Sequence, residues 1–240
     1  MNRSIRFQWD VAALALLGVV FVARADLDLA ASALFYRPEG GFFLGGEPWV
    51  QWIHHGIPLL STALSVVLAG ALLLGFVPAC CGLKKLRRPL AYLLLTLALG
   101  PGLLVNGVLK SHWGRARPVN VAEFGGDKAF TPALVISNQC QRNCSFVSGH
   151  ASLGFALCAF GFMTGRRYWF ALALGAGSLL GLARLVHGKH FLSDVLFAFF
   201  AVYFCAKLLH FLVYSPASPF RRPTENPPQA GPPAPAEKLA

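Results

Sequence analysis

Charge is what this 240-residue chain has least of: 13% of its residues are Asp, Glu, Lys or Arg, against 55% hydrophobic ones. A soluble domain carries nearer a quarter of charged side chains, so the composition excludes an ordinary water-soluble fold. Acidic residues are scarcer still, ten against 21 Lys and Arg, which leaves a formal charge of +11. That balance suits nucleic acid, anionic lipid or a phosphate-bearing substrate, and only position along the chain can choose among them. No internal repeat is visible, and no Cys and His cluster has the spacing of a metal site, so the sequence implies no metal and no cofactor.

What the chain does have is long apolar runs, at Trp9–Ala25, Ile57–Cys81, Leu90–Leu109, His150–Thr164, Tyr168–Leu185 and Phe191–Tyr214. A hydrocarbon core takes about 20 helical residues, so the second, third and sixth runs span unaided. The fourth is shorter and crosses only if Phe146–Gly149 dips into the bilayer edge. The pattern predicts an all-α, polytopic membrane helical bundle of six transmembrane helices.

Basic residues test that topology, because short cytoplasmic loops collect Lys and Arg. Arg3 and Arg6, then Lys84, Lys85, Arg87 and Arg88, then Arg166 and Arg167, then Arg221 and Arg222 fall at every second boundary. Both termini are then inside, and residues 26–56, 110–149 and 186–190 lie outside, in a bacterium facing the periplasm from the inner membrane. The early Arg residues, the apolar stretch Val11–Ala23 and the triplet Ala23-Arg24-Ala25 also fit a cleaved secretory signal, which would leave five spans and move no later segment. Residues 1–214 form the transmembrane domain, with outer loops 26–56 and 110–149. Asp26–His55, flanked by aromatic rings, reads as a segment lying along the membrane interface. Residues 215–240, rich in Pro, read as a disordered cytosolic tail. Since topology explains the inner positive charges, no nucleic acid is expected as partner. The sequence is silent on oligomeric state.

Cys140 and Cys144 share the outer loop and are placed to oxidise, a C-x3-C bridge needing only a turn that brings the Cα atoms within about 7 Å. Cys158 and Cys205 sit inside spans and read as small apolar fillers.

Three polar islands interrupt the apolar chain, and all fall on the outer side: Lys110 to Pro118, Ser148 to His150, and Arg184 to Asp194. Lys110, Arg117 and Arg184 are three cations at span ends, where charge is costly unless paired. Asp194 is the one carboxylate in the islands, so an exogenous anion is the natural partner, and guanidinium forks match phosphate oxygens. Backbone N–H groups at Ser148-Gly149 suit the same anion. His190 and Asp194, four apart, share a helix face, so the carboxylate can orient one ring nitrogen and leave the other as nucleophile. His150 is then the general acid for the leaving oxygen. Arg115 and Lys189 read as auxiliary phosphate or headgroup contacts, and His54, His55, His112, His187 and His210 as packing or interface residues, His187 being close enough to the site to serve as a supporting donor.

The pattern K-x6-R-P, S-G-H, R-x5-H-x3-D, here Lys110 to Arg117-Pro118, Ser148-Gly149-His150, and Arg184 to His190 to Asp194, resembles the type 2 phosphatidic acid phosphatase (PAP2) superfamily. The resemblance implies a metal-independent phosphatase in which His190 forms a phosphohistidine, Asp194 orients it, and His150 serves as acid and then as base for water. Lys110, Arg117, Ser148, Gly149 and Arg184 then bind phosphate. Two positions depart from the family pattern: Val147 stands for its Pro before Ser-Gly-His, and Ala183 for its Ser before Arg184. The lost hydroxyl forfeits about 0.5–1.5 kcal/mol of one hydrogen bond, and neither change touches the nucleophile, acid or cations.

The long outer insert Val119–Val147 and the Gly- and Phe-rich segment Tyr36–Leu44 are similar to bacterial lipid A phosphatases of this superfamily, which implies an anionic lipid substrate embedded among membrane lipids. Undecaprenyl pyrophosphate and phosphatidylglycerol phosphate phosphatases share the catalytic pattern and remain alternatives. A lipid phosphotransferase would use the same phosphohistidine. An anion-binding transporter would place cations similarly but usually shows inverted repeats and broken midplane helices, and neither is visible.

Overall fold

The computed structural model describes residues 3–214; the Pro-rich tail expected at 215–240, with Arg221 and Arg222, lies outside the described residues. Helix α1 (Arg3–Ala23) leads almost directly into α2 (Asp26–Ala33), and a hairpin of β1 (Tyr36–Arg37) and β2 (Gly41–Phe42) follows. Then come α3 (Pro48–Leu74), α4 (Arg87–Leu97), a π-helical stretch at Ala98–Leu109 and the short α5 (Lys110–His112). Beyond an irregular loop lie α6 (Gly149–Phe155), α7 (Cys158–Thr164), α8 (Tyr168–Val186) and α9 (Leu192–Tyr214).

Four helices are long and apolar enough to cross a membrane, Pro48–Leu74, Gly82–His112, Tyr168–Val186 and Leu192–Tyr214. The other two expected spans are shorter apolar helices, Gln8–Ala23 and Gly149–Thr164, the second interrupted by a turn at Ala156-Leu157. None of the apolar window of α3 is buried within the protein, and Leu59, Leu60, Val66, Val67 and Leu73 are all exposed. A water-soluble chain does not carry so continuous an apolar surface, whereas lipid is its natural solvent. The chain is an integral membrane protein.

One boundary moves. The second span starts at Pro48 rather than Ile57, so the segment through His55, expected along the interface, is already the first two turns of α3. Pro48 occupies the first helical turn, where its missing N–H costs nothing, and Pro58 is carried inside the apolar helix. The helix therefore carries His54 and His55 in its first two turns.

Close packing is set by small residues. Ala173, Gly177 and Gly181 recur every four positions along one stripe of α8 and let its backbone approach its neighbours. A Cβ on Gly154 would lie 2.6 Å from the Gly177 nitrogen, one on Gly177 would lie 2.1 Å from the Phe155 ring, and one on Gly181 would meet Val195 at 2.3 Å. Around this contact α9 buries Val195, Ala198, Val202 and Ala206. Helix α1 packs on α9 through Phe21 and Phe197, and Asp10 accepts from Tyr203 and pairs with Lys207.

The π-helical stretch has a cause in its sequence. Pro101 cannot donate a helical hydrogen bond, and the Asn106 side-chain amide donates to the Pro101 carbonyl at 2.7 Å. Its widened turns end at Lys110, which they present to the loop of residues 138–149.

Candidate active site

The three islands meet through the backbone before any side chain is considered. The Cys144 N–H donates to the Lys110 carbonyl, Ser145 to Arg115, Ser148 to Asp194 and Val119 to Gly188, at 2.9–3.1 Å. The strap Cys144–Ser148 therefore lies between the end of the third apolar run and the start of α9. It is pinned from the loop side by the Cys140–Cys144 disulfide, with Cα atoms 5.6 Å apart.

His190 is buried at the mouth of α9. Its Nδ1 donates to the Ser145 carbonyl at 2.7 Å, which fixes the tautomer and leaves Nε2 as the ring's free lone pair. Asp194 Oδ2 stands 3.6 Å from the same Nδ1, alongside rather than bonded to it. The sequence assigned the orienting bond to Asp194 alone; the strap carbonyl makes it. Burial away from water, with the Lys110 and Arg184 charges nearby, pushes the imidazole well below its ordinary pKa despite Asp194, so His190 is neutral at physiological pH.

Asp194 is held by three donors. Ser145 Oγ and the Phe191 N–H donate to Oδ2 at 2.5 and 2.8 Å, and the Arg115 guanidinium donates to Oδ1 at 2.6 Å. Its second amino group meets Asp28 Oδ2 at 2.8 Å, and the Asp28 carboxylate also receives the N–H and hydroxyl of Ser193. Arg115 is fully buried, its Nε donating to the Thr131 carbonyl and its plane 4.3 Å from the Phe191 ring. This corrects the expectation that Arg115 contacts phosphate or headgroup: two carboxylates claim it, and no part of it reaches solvent. Asp28, on α2, was not expected at the site at all.

The remaining cations have no such partner. Among the described residues, Lys110, Arg117 and Arg184 have no carboxylate within ion-pair distance. Lys110 is buried, with Nζ 3.4 Å from Asn143 Oδ1; Arg117 donates to the Asn143 carbonyl at 2.7 Å. Arg184 is buried, donates to His187 Nδ1 at 3.2 Å, and its Nε has no partner among the described residues. Burial holds the Arg117 guanidinium below its ordinary pKa. Gly149 closes the group: a Cβ there would stand 2.7 Å from Asn106 Oδ1 and 3.2 Å from Lys110 Nζ. Three desolvated cations facing one another beside a neutral imidazole make a site for a multiply charged anion.

Ser148 takes a more local part than expected, its hydroxyl capping α6 by accepting from the Ala151 N–H at 3.5 Å. His150 Nε2 donates to the His54 carbonyl at 3.1 Å, leaving Nδ1 to exchange protons with a ligand. The His54 ring stands 5.8 Å from that of His150 and 5.2 Å from that of His187, and its buried Nδ1 has no partner among the described residues. His54 thus borders the site from α3, whereas the sequence placed it with packing and interface residues. His210 does pack, stacked on Tyr214.

Helices of membrane length around an anion site with a neutral buried imidazole define a membrane phosphatase. The chain belongs to the PAP2 superfamily, whose profile matches residues 89–216 and so takes in all three motifs. A lipid A 4'-phosphatase of Francisella tularensis subsp. novicida (strain U112) is 37% identical over 205 residues, 82% of this chain and 90% of that protein. Lipid A 4'-phosphatases of Rhizobium leguminosarum and Rhizobium etli (strain ATCC 51251 / DSM 11541 / JCM 21823 / NBRC 15573 / CFN 42) are 50% and 45% identical over 103 and 115 residues. Those matches cover 42% and 47% of this chain, and 44% and 43% of theirs. No solved structure matches. Asp28 and His54 fall outside residues 89–216.

Proposed function

We propose that this protein removes a phosphate from lipid A, or a closely similar anionic glycolipid, by a two-step reaction through His190. The relatives' names support the substrate, the one similar over 82% of the chain above all. The observation that carries the chemistry is the trio Lys110, Arg117 and Arg184, buried or half-buried beside a neutral imidazole, with no carboxylate in ion-pair distance among the described residues. His190 Nε2 attacks phosphorus, the bond to the lipid oxygen breaks, and protonated His150 gives that oxygen its proton. Water then attacks the phosphohistidine, losing its proton to His150, and the P–N bond breaks to release phosphate and restore His190. The cations stabilise the charge that gathers on the equatorial oxygens, which in a partly dry site amounts to several kcal/mol. Gly149 contributes a backbone donor beside them, and Ser148, whose own N–H is held by the Asp194 carbonyl, offers its hydroxyl. Asp194, held by Arg115, balances the positive charge on the phosphorylated ring.

The full topology belongs to the same reading: six passes, both ends of the chain cytosolic, and the site on the periplasmic face of a bacterial inner membrane. The alternating basic boundaries support it, as does the Cys140–Cys144 bridge, which needs an oxidising compartment. The Asp10 pair with Lys207 supports a retained first helix, since that helix meets a partner within the bundle.

His190→Ala and His150→Ala test the mechanism, with phosphate release from purified lipid A as the readout and membrane insertion verified by fractionation. His190→Ala abolishes turnover and phosphoenzyme labelling, while His150→Ala loses about 10²–10⁴-fold in rate. Retained turnover in either variant removes that residue from its role.

A further inference from the structure

On the outer face, beside the cation trio, is a cavity of about 560 Å³ that the reaction at His190 leaves unused. Four cationic side chains line it, Arg117, Lys128, Arg142 and Lys189, and among the described residues no carboxylate does. Five side-chain amides complete its polar wall, Asn138 and Gln141 among them, and polar surface exceeds apolar. Asp127 pairs with Lys128, but Arg142 and Lys189 have no acidic partner among the described residues. The walls are built in advance: Lys128 exchanges backbone bonds with Asn120 and Ala122, Gln139 Oε1 accepts from the Ala129 N–H, and the disulfide closes the turn that carries Arg142. Arg117 and Lys189 link this cavity to the phosphate site, Arg117 by belonging to both and Lys189 by lying next to His190 in the chain and within the field of Arg184.

We infer that this cavity holds the remainder of the substrate's headgroup, a polyhydroxylated sugar carrying a second anionic group, while the first phosphate sits on Lys110, Arg117 and Arg184. The inference rests on the lipid phosphatase reading and names a specificity site within it. Size argues for more than a phosphate, since pockets of 300–1,000 Å³ take whole drug-sized ligands. The lining chooses the chemistry: amides pair with hydroxyls in either direction, cations without carboxylates ask for an anion, and an acyl chain would meet Ala116 and Val119 among nine polar side chains. Its walls agree, because they come from loop residues between the apolar spans, whereas the acyl chains must run toward the bilayer.

The test measures kcat/KM for phosphate release by the full-length protein in mixed micelles. It uses three lipids: a glycolipid with two phosphate monoesters on its sugars, the same glycolipid lacking the phosphate that is not removed, and phosphatidic acid. The wild type prefers the first over the second by about tenfold, the size of one charge-assisted contact. Lys128→Gln combined with Arg142→Gln, both exposed positions, brings that preference to within about twofold and leaves phosphatidic acid turnover unchanged. A wild type without the preference, or a variant that keeps it, overturns the inference while phosphatidic acid turnover keeps the phosphatase reading standing. Failure of the wild type to release phosphate from any of the three sinks both. Inorganic phosphate added to the phosphatidic acid assay separates a free ion from a headgroup. Equal inhibition of wild type and variant supports the headgroup; weaker inhibition of the variant, with the glycolipid preference intact, assigns the cavity to free phosphate and overturns it.

Discussion

Arg115 lies two residues from Arg117, yet the two guanidiniums have opposite fates. Arg117 keeps a face toward the outer cavity; Arg115 is shut between Asp28 and Asp194. A buried ion triad adds little net stability over an apolar filling. With two carboxylates on one guanidinium, deleting the Asp28 charge leaves a balanced Arg115–Asp194 pair but weakens the charge-assisted hydrogen bonds that Asp28 accepts, at a cost of about 1.5–3 kcal/mol. Asp28→Asn keeps the volume and deletes one charge. It lowers the thermal midpoint of the detergent-solubilised protein, and it also lowers kcat, because Arg115 then holds Asp194 from a shifted position. KM for the lipid changes little, since Asp28 touches no phosphate-binding cation; an unchanged kcat in a folded Asp28→Asn protein would confine the triad to stability. His190 gives a second prediction. The unfolded chain protonates this imidazole near 6.5, and the folded protein resists protonation until well below that pH. The unfolded state therefore binds the extra proton first, and stability falls as pH drops below 6.5, by at most about 1.4 kcal/mol per unit from this group. His190→Asn removes that contribution, so the thermal midpoints of wild type and variant converge as the pH is taken from 7 to 5.

At the scale of elements, the glycine stripe of α8 fixes how α6 sits, and α6 carries His150. Gly177→Val puts branched carbons where the Phe155 ring already is, so the α6 to α8 contact must open. Overpacking of this kind costs about 1–3 kcal/mol. The variant loses activity on lipid beyond what its lower thermal midpoint explains, whereas Gly175→Val, at a glycine with open space around it, does neither. The same scale separates what could be read from the chain. The gathering of the three cations with His150 and His190 was legible because each motif is local and their order is specific. His54 was not, since two adjacent imidazoles ahead of an apolar run look like the edge of a span, and only the uninterrupted helix from Pro48 carries them to the site. Asp28 was not legible either: a carboxylate in the first turn of a short helix is already explained by the helix dipole. Its pairing with a residue 87 positions away leaves no local trace. Arg115 was misread for a related reason, since polarity at a site edge does not say whether a cation turns toward ligand or toward a carboxylate.

For the whole molecule the two ends of the bundle are chemically unlike. Helix α4 begins at Arg87, after Lys84 and Lys85, and its continuation reaches Lys110 at the site, so the basic turn and the site are separated by 23 residues of largely helical chain. At 1.5 Å per residue that is about 34 Å, close to the thickness of a hydrocarbon core. With the span upright, Lys85 and Arg142 lie on opposite sides of the bilayer, and the proposed orientation makes the basic turn the cytosolic one. Single cysteines at these positions, in a chain whose free cysteines are replaced by serine, decide the orientation. A membrane-impermeant maleimide applied to intact spheroplasts labels Arg142→Cys and spares Lys85→Cys until the membrane is permeabilised. Labelling in the reverse order would put the cation trio on the cytosolic leaflet, where it meets lipid phosphates before they cross the membrane. The chemistry at His190 would survive that result, but the periplasmic assignment would not, and the Cys140–Cys144 bridge would sit in a reducing compartment.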